Sequence, residues 1–220
     1  MYLYRPEWHD MSNYAVHFTR AGENRTAYDN IMSILYLRVL HAVNPFGYVR
    51  HLAPNVDTQR AFSFSEIPLH LLQRIAQEKG NYGIGFLKQF LLERGGSPIW
   101  FVEQDSDTDN ALQMMVDSAN DSPDPGSHPV WTITPFIDRR MSNYRFEWER
   151  EWRHIGDMHF TEQDVTFLII PEHQHGDARI FFEGARRENY GPGYLCPYID
   201  VGWSLERIQE TLAQRDQGAR

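Results

Sequence analysis

Eight residues, Phe146 to Arg153, constrain the fold more than any other part of the chain. On a strand the side-chain period is two, so Glu149, Glu151 and Arg153 would line one face and Trp148, Arg150 and Trp152 the other. Like charges on one strand face are unfavourable unless that face is solvated or chemically used. Taken alone, Glu149-Arg150-Glu151 also fits an ordinary edge strand whose charges discourage aggregation.

Composition narrows the class. A chain of 220 residues with 41% hydrophobic and 14% aromatic side chains is globular and can bury a sizeable core. The net charge is −9, and the excess is local: residues 103–128 carry Glu103, Asp105, Asp107, Asp109, Asp117, Asp121 and Asp124 with no Lys or Arg. With those seven set aside, the remaining acids nearly balance the 21 Lys and Arg, so a basic groove is compatible with the acidic total. The single Cys196 excludes an internal disulfide and a multi-cysteine zinc site, and is expected to be buried and inert. His173-x-His175 beside Pro171 and Gly176 reads as a polar loop, and no metal site is expected. The N-terminus carries no secretory signal and no stretch reaches membrane-span length, so a cytoplasmic protein with no membrane contact is expected.

Short strand and helix signals alternate along the chain. Tyr14 to Thr19 reads as a strand, residues 26–41 as a helix, Ala61 to Ser65 as a strand, and Pro68 to Ala76 as a second helix. Tyr82 to Phe86 and Ile99 to Val102 read as strands around a short helix, Leu87 to Arg94. The acidic segment holds a brief helical pattern at Ala111, Leu112, Met115 and Val116 and ends in a strong loop signal, Asp121 to Gly126. Val130 to Ile137 fits a helix or an extended stretch. Phe146 to Ile155, Val165 to Ile170 and Ile180 to Phe182 read as strands, and Leu205 to Ala213 as a terminal helix. The fold class that follows is one α/β (α+β) domain over residues 1–220, with residues 103–128 as an acidic insertion.

Three pieces together carry a family resemblance: His17-Phe18-Thr19-Arg20 with the helix from Asn30, Phe62-Ser63-Phe64-Ser65 with Tyr82-Gly83-Ile84-Gly85-Phe86, and Trp148 to Arg153. They resemble the AbiGi-type abortive-infection (phage-resistance) proteins over about residues 14–170 and, more distantly, the DarT-like DNA ADP-ribosyltransferases. The family often has Gly near the end of the first helix, where this chain has Arg38. Gly83 and Gly85 do not make a dinucleotide fingerprint, since a third glycine and a following acid are missing.

The resemblance implies an ADP-ribosyltransferase-like split mixed sheet with flanking helices, and NAD as a substrate. Glu151 would bind the ribose 2′-hydroxyl and stabilise the positive charge that develops on the sugar, and Glu149 would orient the nucleophile. His17, Thr19 and Arg20 would contact NAD, His17 or Arg20 holding the adenosine side or a phosphate. Ser63 and Ser65 would brace the ribose, and Tyr82 would stack on nicotinamide. Arg139, Arg140, Arg145 and Arg153 would hold the phosphates of an acceptor, DNA or RNA being favoured over protein. The leading expectation is thus a defence or toxin effector that transfers ADP-ribose to a macromolecule. The alternative is a non-catalytic antitoxin or regulatory partner in a two-component abortive-infection system, paired with a cognate toxin.

Overall fold

The computed structural model describes residues 12–66, 68–140 and 149–218, with side chains as far as Ala213. The elements begin with β1 (Tyr14–Thr19), α1 (Ala27–Leu37), β2 (Val39–Leu40), β3 (Asn44–Pro45), β4 (Arg60–Ser65), α2 (Leu72–Lys79), β5 (Tyr82–Leu87), α3 (Lys88–Glu93), β6 (Ser97–Pro98) and β7 (Trp100–Glu103). They continue with α4 (Asp107–Asn120), α5 (Val130–Ile133), β8 (Ile137–Arg140), β9 (Glu151–Ile155), β10 (Met158–His159), β11 (Val165–Ile169), α6 (His175–Arg187), β12 (Tyr198–Ile199) and α7 (Leu205–Gly218). This is a mixed α+β fold with parallel and antiparallel pairs in its main sheet, as the alternating sequence signals predict. The chain divides into two compact units, residues 1–39, 64–90 and 159–220 in one and 40–63 and 91–158 in the other.

In the first unit β5 is central. It pairs antiparallel with β1, Thr19 opposite Tyr82 and Tyr14 opposite Leu87, and antiparallel with β11 on its other side. β12 joins β11 in parallel, and the end of β4 meets β1 at Val16 and Ser65. All five residues of β11 are buried, as befits a strand covered on both faces. One face packs Val16, Phe167, Ile169 and Ile199 against Leu72 of α2 and Ile208 and Leu212 of α7. The glycines of β5 serve this packing: a Cβ on Gly85 would lie 2.5 Å from the Phe167 ring.

Helix α1 starts from a capping box. The Thr26 hydroxyl accepts from the Asp29 backbone N–H at 3.1 Å, and the Asp29 carboxylate accepts from the Thr26 N–H at 3.0 Å. The helix ends at Leu37, short of the predicted 41, because Arg38 takes the left-handed conformation (φ 55°, ψ 39°) and its N–H closes on the Ile34 carbonyl. This is the position where the family resemblance expects glycine. Residues 180–182, expected as a strand, lie inside helix α6. Ala178, Phe182 and Ala185 form its buried stripe at helical spacing, while Ile180 and Phe181 face solvent.

The second unit is built on shorter strands. β3 pairs with β4, β9 lies between β4 and β6, and β7 runs parallel to β8 with Trp100 opposite Ile137. The stretch left open between helix and strand, 130–137, is both: α5, one 3₁₀ turn, then β8. The acidic segment supplies the 14-residue helix α4, whose Leu112, Val116 and Ala119 are buried. Gly47 (φ +88°) lets the chain pass against the Thr134 carbonyl, where a Cβ would be only 2.2 Å away. Buried Gln59 ties the pieces together, donating to the Trp131 carbonyl at 3.0 Å and accepting from the Thr134 hydroxyl at 3.1 Å.

The left-handed Arg38 generates a test. Its side chain makes a solvated pair with Glu162, which contributes little, whereas the strain of a left-handed L-residue exceeds the extra backbone entropy that glycine loses on folding. Arg38→Gly should therefore raise stability by about 0.5–1 kcal/mol, read as a higher urea midpoint at unchanged slope. A lower midpoint would contradict this account of the helix end.

Candidate functional site

The residues singled out in the sequence fall in both units. In the first, Thr19 is buried and its hydroxyl donates to the Ala27 carbonyl at 3.2 Å. Arg20 donates to the Glu78 carbonyl at 2.9 Å, at the end of α2. His17 sits edge-on to Phe64, 5.9 Å between ring centroids, and Ser65 is buried opposite Val16. Tyr82 donates its hydroxyl to the Gln174 side-chain carbonyl at 2.7 Å, and its ring lies 6.0 Å from that of Tyr28.

In the second unit the segment that opened the sequence argument is only partly a strand. Residues 141–148, Arg145 and Trp148 among them, lie outside the described residues. Strand β9 spans Glu151–Ile155, and Arg150 just before it has φ 45°. That left-handed residue breaks the two-residue alternation, so Glu149, itself buried, does not belong to the strand face shared by Glu151 and Arg153. Ser63, half-buried, lies on β4 in the same unit.

Arg153 is the centre of this region. It is 1% exposed, and every arm of its guanidinium is used. Nε donates to Glu151 at 2.7 Å, one terminal nitrogen to the Pro135 carbonyl at 2.7 Å, and the other to the carboxylate of Asp138. The Phe46 ring covers it at 4.9 Å. Burial works against the charge, but the carboxylates of Glu151 and Asp138 outweigh it and raise the pKa, so the cation persists. Arg153 is therefore a structural cation with no face for a phosphate, and Glu151 is its partner.

Arg139 is engaged in the same way. Its Nε donates to Asp109 at 2.9 Å and a terminal nitrogen to the Tyr48 hydroxyl at 2.6 Å; that hydroxyl donates to Asp109 at 2.5 Å. Burial pushes the Asp109 carboxyl upward, yet hydrogen bonds from Tyr48, the Asp105 backbone and Arg139 outweigh it and hold the pKa below the usual carboxylate value. Arg140 makes a solvated pair with Glu103 at 3.4 Å. Arg139, Arg140 and Arg153 of the cluster thus face carboxylates.

Sequence reasoning missed an open apolar groove of about 620 Å³ in the second unit. Its lining includes Pro98 of β6, Trp100 of β7, Leu112 and Met115 of α4, Ile133 of α5 and Phe136. Trp100, Met115 and Ile133 are 53%, 45% and 43% exposed, a high degree of solvation for such large apolar groups. Helix α4 forms where it does because Ser106 caps it, accepting from the Asp109 N–H at 3.2 Å, and because Asp107 and Asp109 suit its N-terminal dipole. Its buried stripe faces the core, which leaves Ala111 and Met115 at the groove. The ion cluster holds the other walls. Ser97 and Pro98 pair with Arg153 and Trp152, and Phe136 lies between Pro135 and Ile137, which adjoin the groups that Arg153 binds. The adjacent Met114 and Met115 on an acidic helix were the available signal in the sequence.

One protein family, "Putative abortive phage resistance protein AbiGi, antitoxin", matches residues 45–190, about two thirds of the chain. The chain belongs to the AbiGi family. The match takes in the Phe62–Phe86 and Trp148–Arg153 motifs and the whole groove, while the His17–Arg20 motif lies before it. No curated protein and no solved structure matches the chain, so the DarT-like likeness rests on motifs alone. Because the AbiGi family is described as an antitoxin, the leading expectation of an ADP-ribosyltransferase effector is corrected in favour of the alternative. Among the described residues no helix is long and apolar enough to cross a membrane.

Two measurements check the site's electrostatics. Arg153→Met strands two carboxylates and should cost about 3–5 kcal/mol, with little dependence on salt because the pair is buried; a loss below 1 kcal/mol would contradict the role given to Arg153. Asp109→Asn should cost about 1–3 kcal/mol at neutral pH. Since the folded carboxyl is held low, that contribution is complete above about pH 4 and fades as pH falls through the folded value. The gap between wild type and variant in urea titrations should shrink in acid; a gap that widens would contradict the assignment.

Proposed function

We propose that this chain is the neutralising component of a two-component abortive-infection system and acts by binding its cognate toxin. The observation that carries the reading is the family match, whose description is that of an antitoxin and whose span includes every residue of the groove. The site's physics supports a protein partner. Neutralisation by binding needs apolar surface that becomes dry on contact, and large side chains at the groove provide it. The guanidinium groups of Arg139, Arg140 and Arg153 are engaged by carboxylates, which weighs against a phosphate-binding rim. Glu151 has its work in holding Arg153, so its position in a Glu-x-Glu motif has a structural explanation.

Induction of the toxin of the pair should arrest growth, and co-expression of this chain should restore it. The two purified proteins should co-elute in size-exclusion chromatography. Arrest that persists with both proteins present, or arrest caused by this chain alone, would overturn the reading.

A further inference from the structure

We infer that the groove of the second unit takes a basic, amphipathic segment of the toxin, with apolar side chains seated between Trp100, Met115 and Ile133. The inference rests on the antitoxin reading and names the partner's chemistry. The groove's size suits a few aliphatic or aromatic anchors, the number that a helix presents along one face at i, i+3, i+4 and i+7. Its apolar lining supplies the attraction but not the choice of partner.

Charge supplies the choice. Helix α4, which lines one side, belongs to a segment of seven acids and no bases. Asp109 is committed to Arg139 and Glu103 to Arg140, and of the segment's remaining exposed acids it is Asp107 that adjoins groove residues on α4. Asp107 stands four residues before Ala111 and next to Thr108, two groove residues, so its carboxylate lies at the rim of that helix face. A segment with Lys or Arg beside its apolar anchors meets this rim favourably, whereas an acidic segment is repelled. A stretch of this kind on a toxin would also attract nucleic acid, and a groove of opposite charge is a direct way to mask it.

The test uses the full chain and a fluorescein-labelled synthetic helix with leucines at i, i+3, i+4 and i+7 and lysines on the opposite face, beside a twin in which glutamates replace the lysines. The lysine peptide should bind, with affinity falling as salt rises, and the glutamate twin should bind at least tenfold more weakly. Ile133→Asp should weaken binding of the lysine peptide at least tenfold even though it adds an acid, so its effect cannot come from lost charge. Asp107→Asn, at an exposed position beside the groove, should weaken it a few-fold and flatten the salt dependence, with circular dichroism unchanged. Equal binding of the two peptides, unchanged binding by Ile133→Asp, or occupation of the groove by a second copy of the chain would overturn the inference. The growth assay separates its failure from that of the reading beneath it. Full protection by both wild type and Ile133→Asp sinks the groove alone, whereas a wild type that fails to protect removes the antitoxin reading and the inference with it.

Discussion

Burial of the Arg153 guanidinium sets the terms for the second unit. A cation this far from water is tolerable only if each of its donors is met, and here two carboxylates and a carbonyl meet them. Satisfying it fixes strand β9 against the turn at Pro135 and the start of β8, and the Phe46 ring closes over the top. Such a cluster adds little net stability compared with a well-packed apolar substitute, but breaking one side of it is costly. Its use is to hold the backbone around Ser97, Pro98, Phe136 and Ile137 in one arrangement.

That arrangement is the floor on which the groove stands. A binding surface made of large apolar groups tends to collapse on itself unless the walls are fixed independently. Arg153 fixes one set of walls, and the Tyr48–Asp109–Arg139 network fixes α4 against β8. Polar clusters thus do the positioning, and apolar side chains are left facing outward. The chain's acidic excess is concentrated in the segment that carries α4, and its exposed Asp107 adjoins the groove, where a carboxylate would favour a basic partner.

Much of the fold was legible because local patterns carried it. β1 is a short run rich in aromatic and β-branched residues, β5 is a short apolar run, and the Thr26–Asp29 spacing marks the start of α1. Misreadings arose where a short apolar run has no period of its own: Ile180-Phe181-Phe182 fits a strand until Ala178 and Ala185 are seen to share a helical face with Phe182. The Glu-x-Glu motif misled for a different reason. One left-handed residue, Arg150, removes Glu149 from the strand, and nothing in the sequence marks that arginine as unusual. The family was legible from motifs spread along the chain, but the function assigned to those motifs was not, since a carboxylate placed to stabilise a sugar cation and one placed to hold a buried arginine look alike in sequence. The paired methionines hinted at an apolar surface, but the groove itself could not be read because its lining comes from five separate elements brought together only by the tertiary fold.

The central claim is that this chain works by presenting the groove to a toxin. Hydrogen–deuterium exchange of the full chain, alone and with its purified toxin, tests it most directly. The account predicts slowed exchange along α4, α5 and the strands from Ser97 to Val102, which carry the groove, with the exchange of β1 and α1 unchanged. Protection confined to β1, α1 or the β9 segment, with the groove elements exchanging as in the free protein, would contradict it.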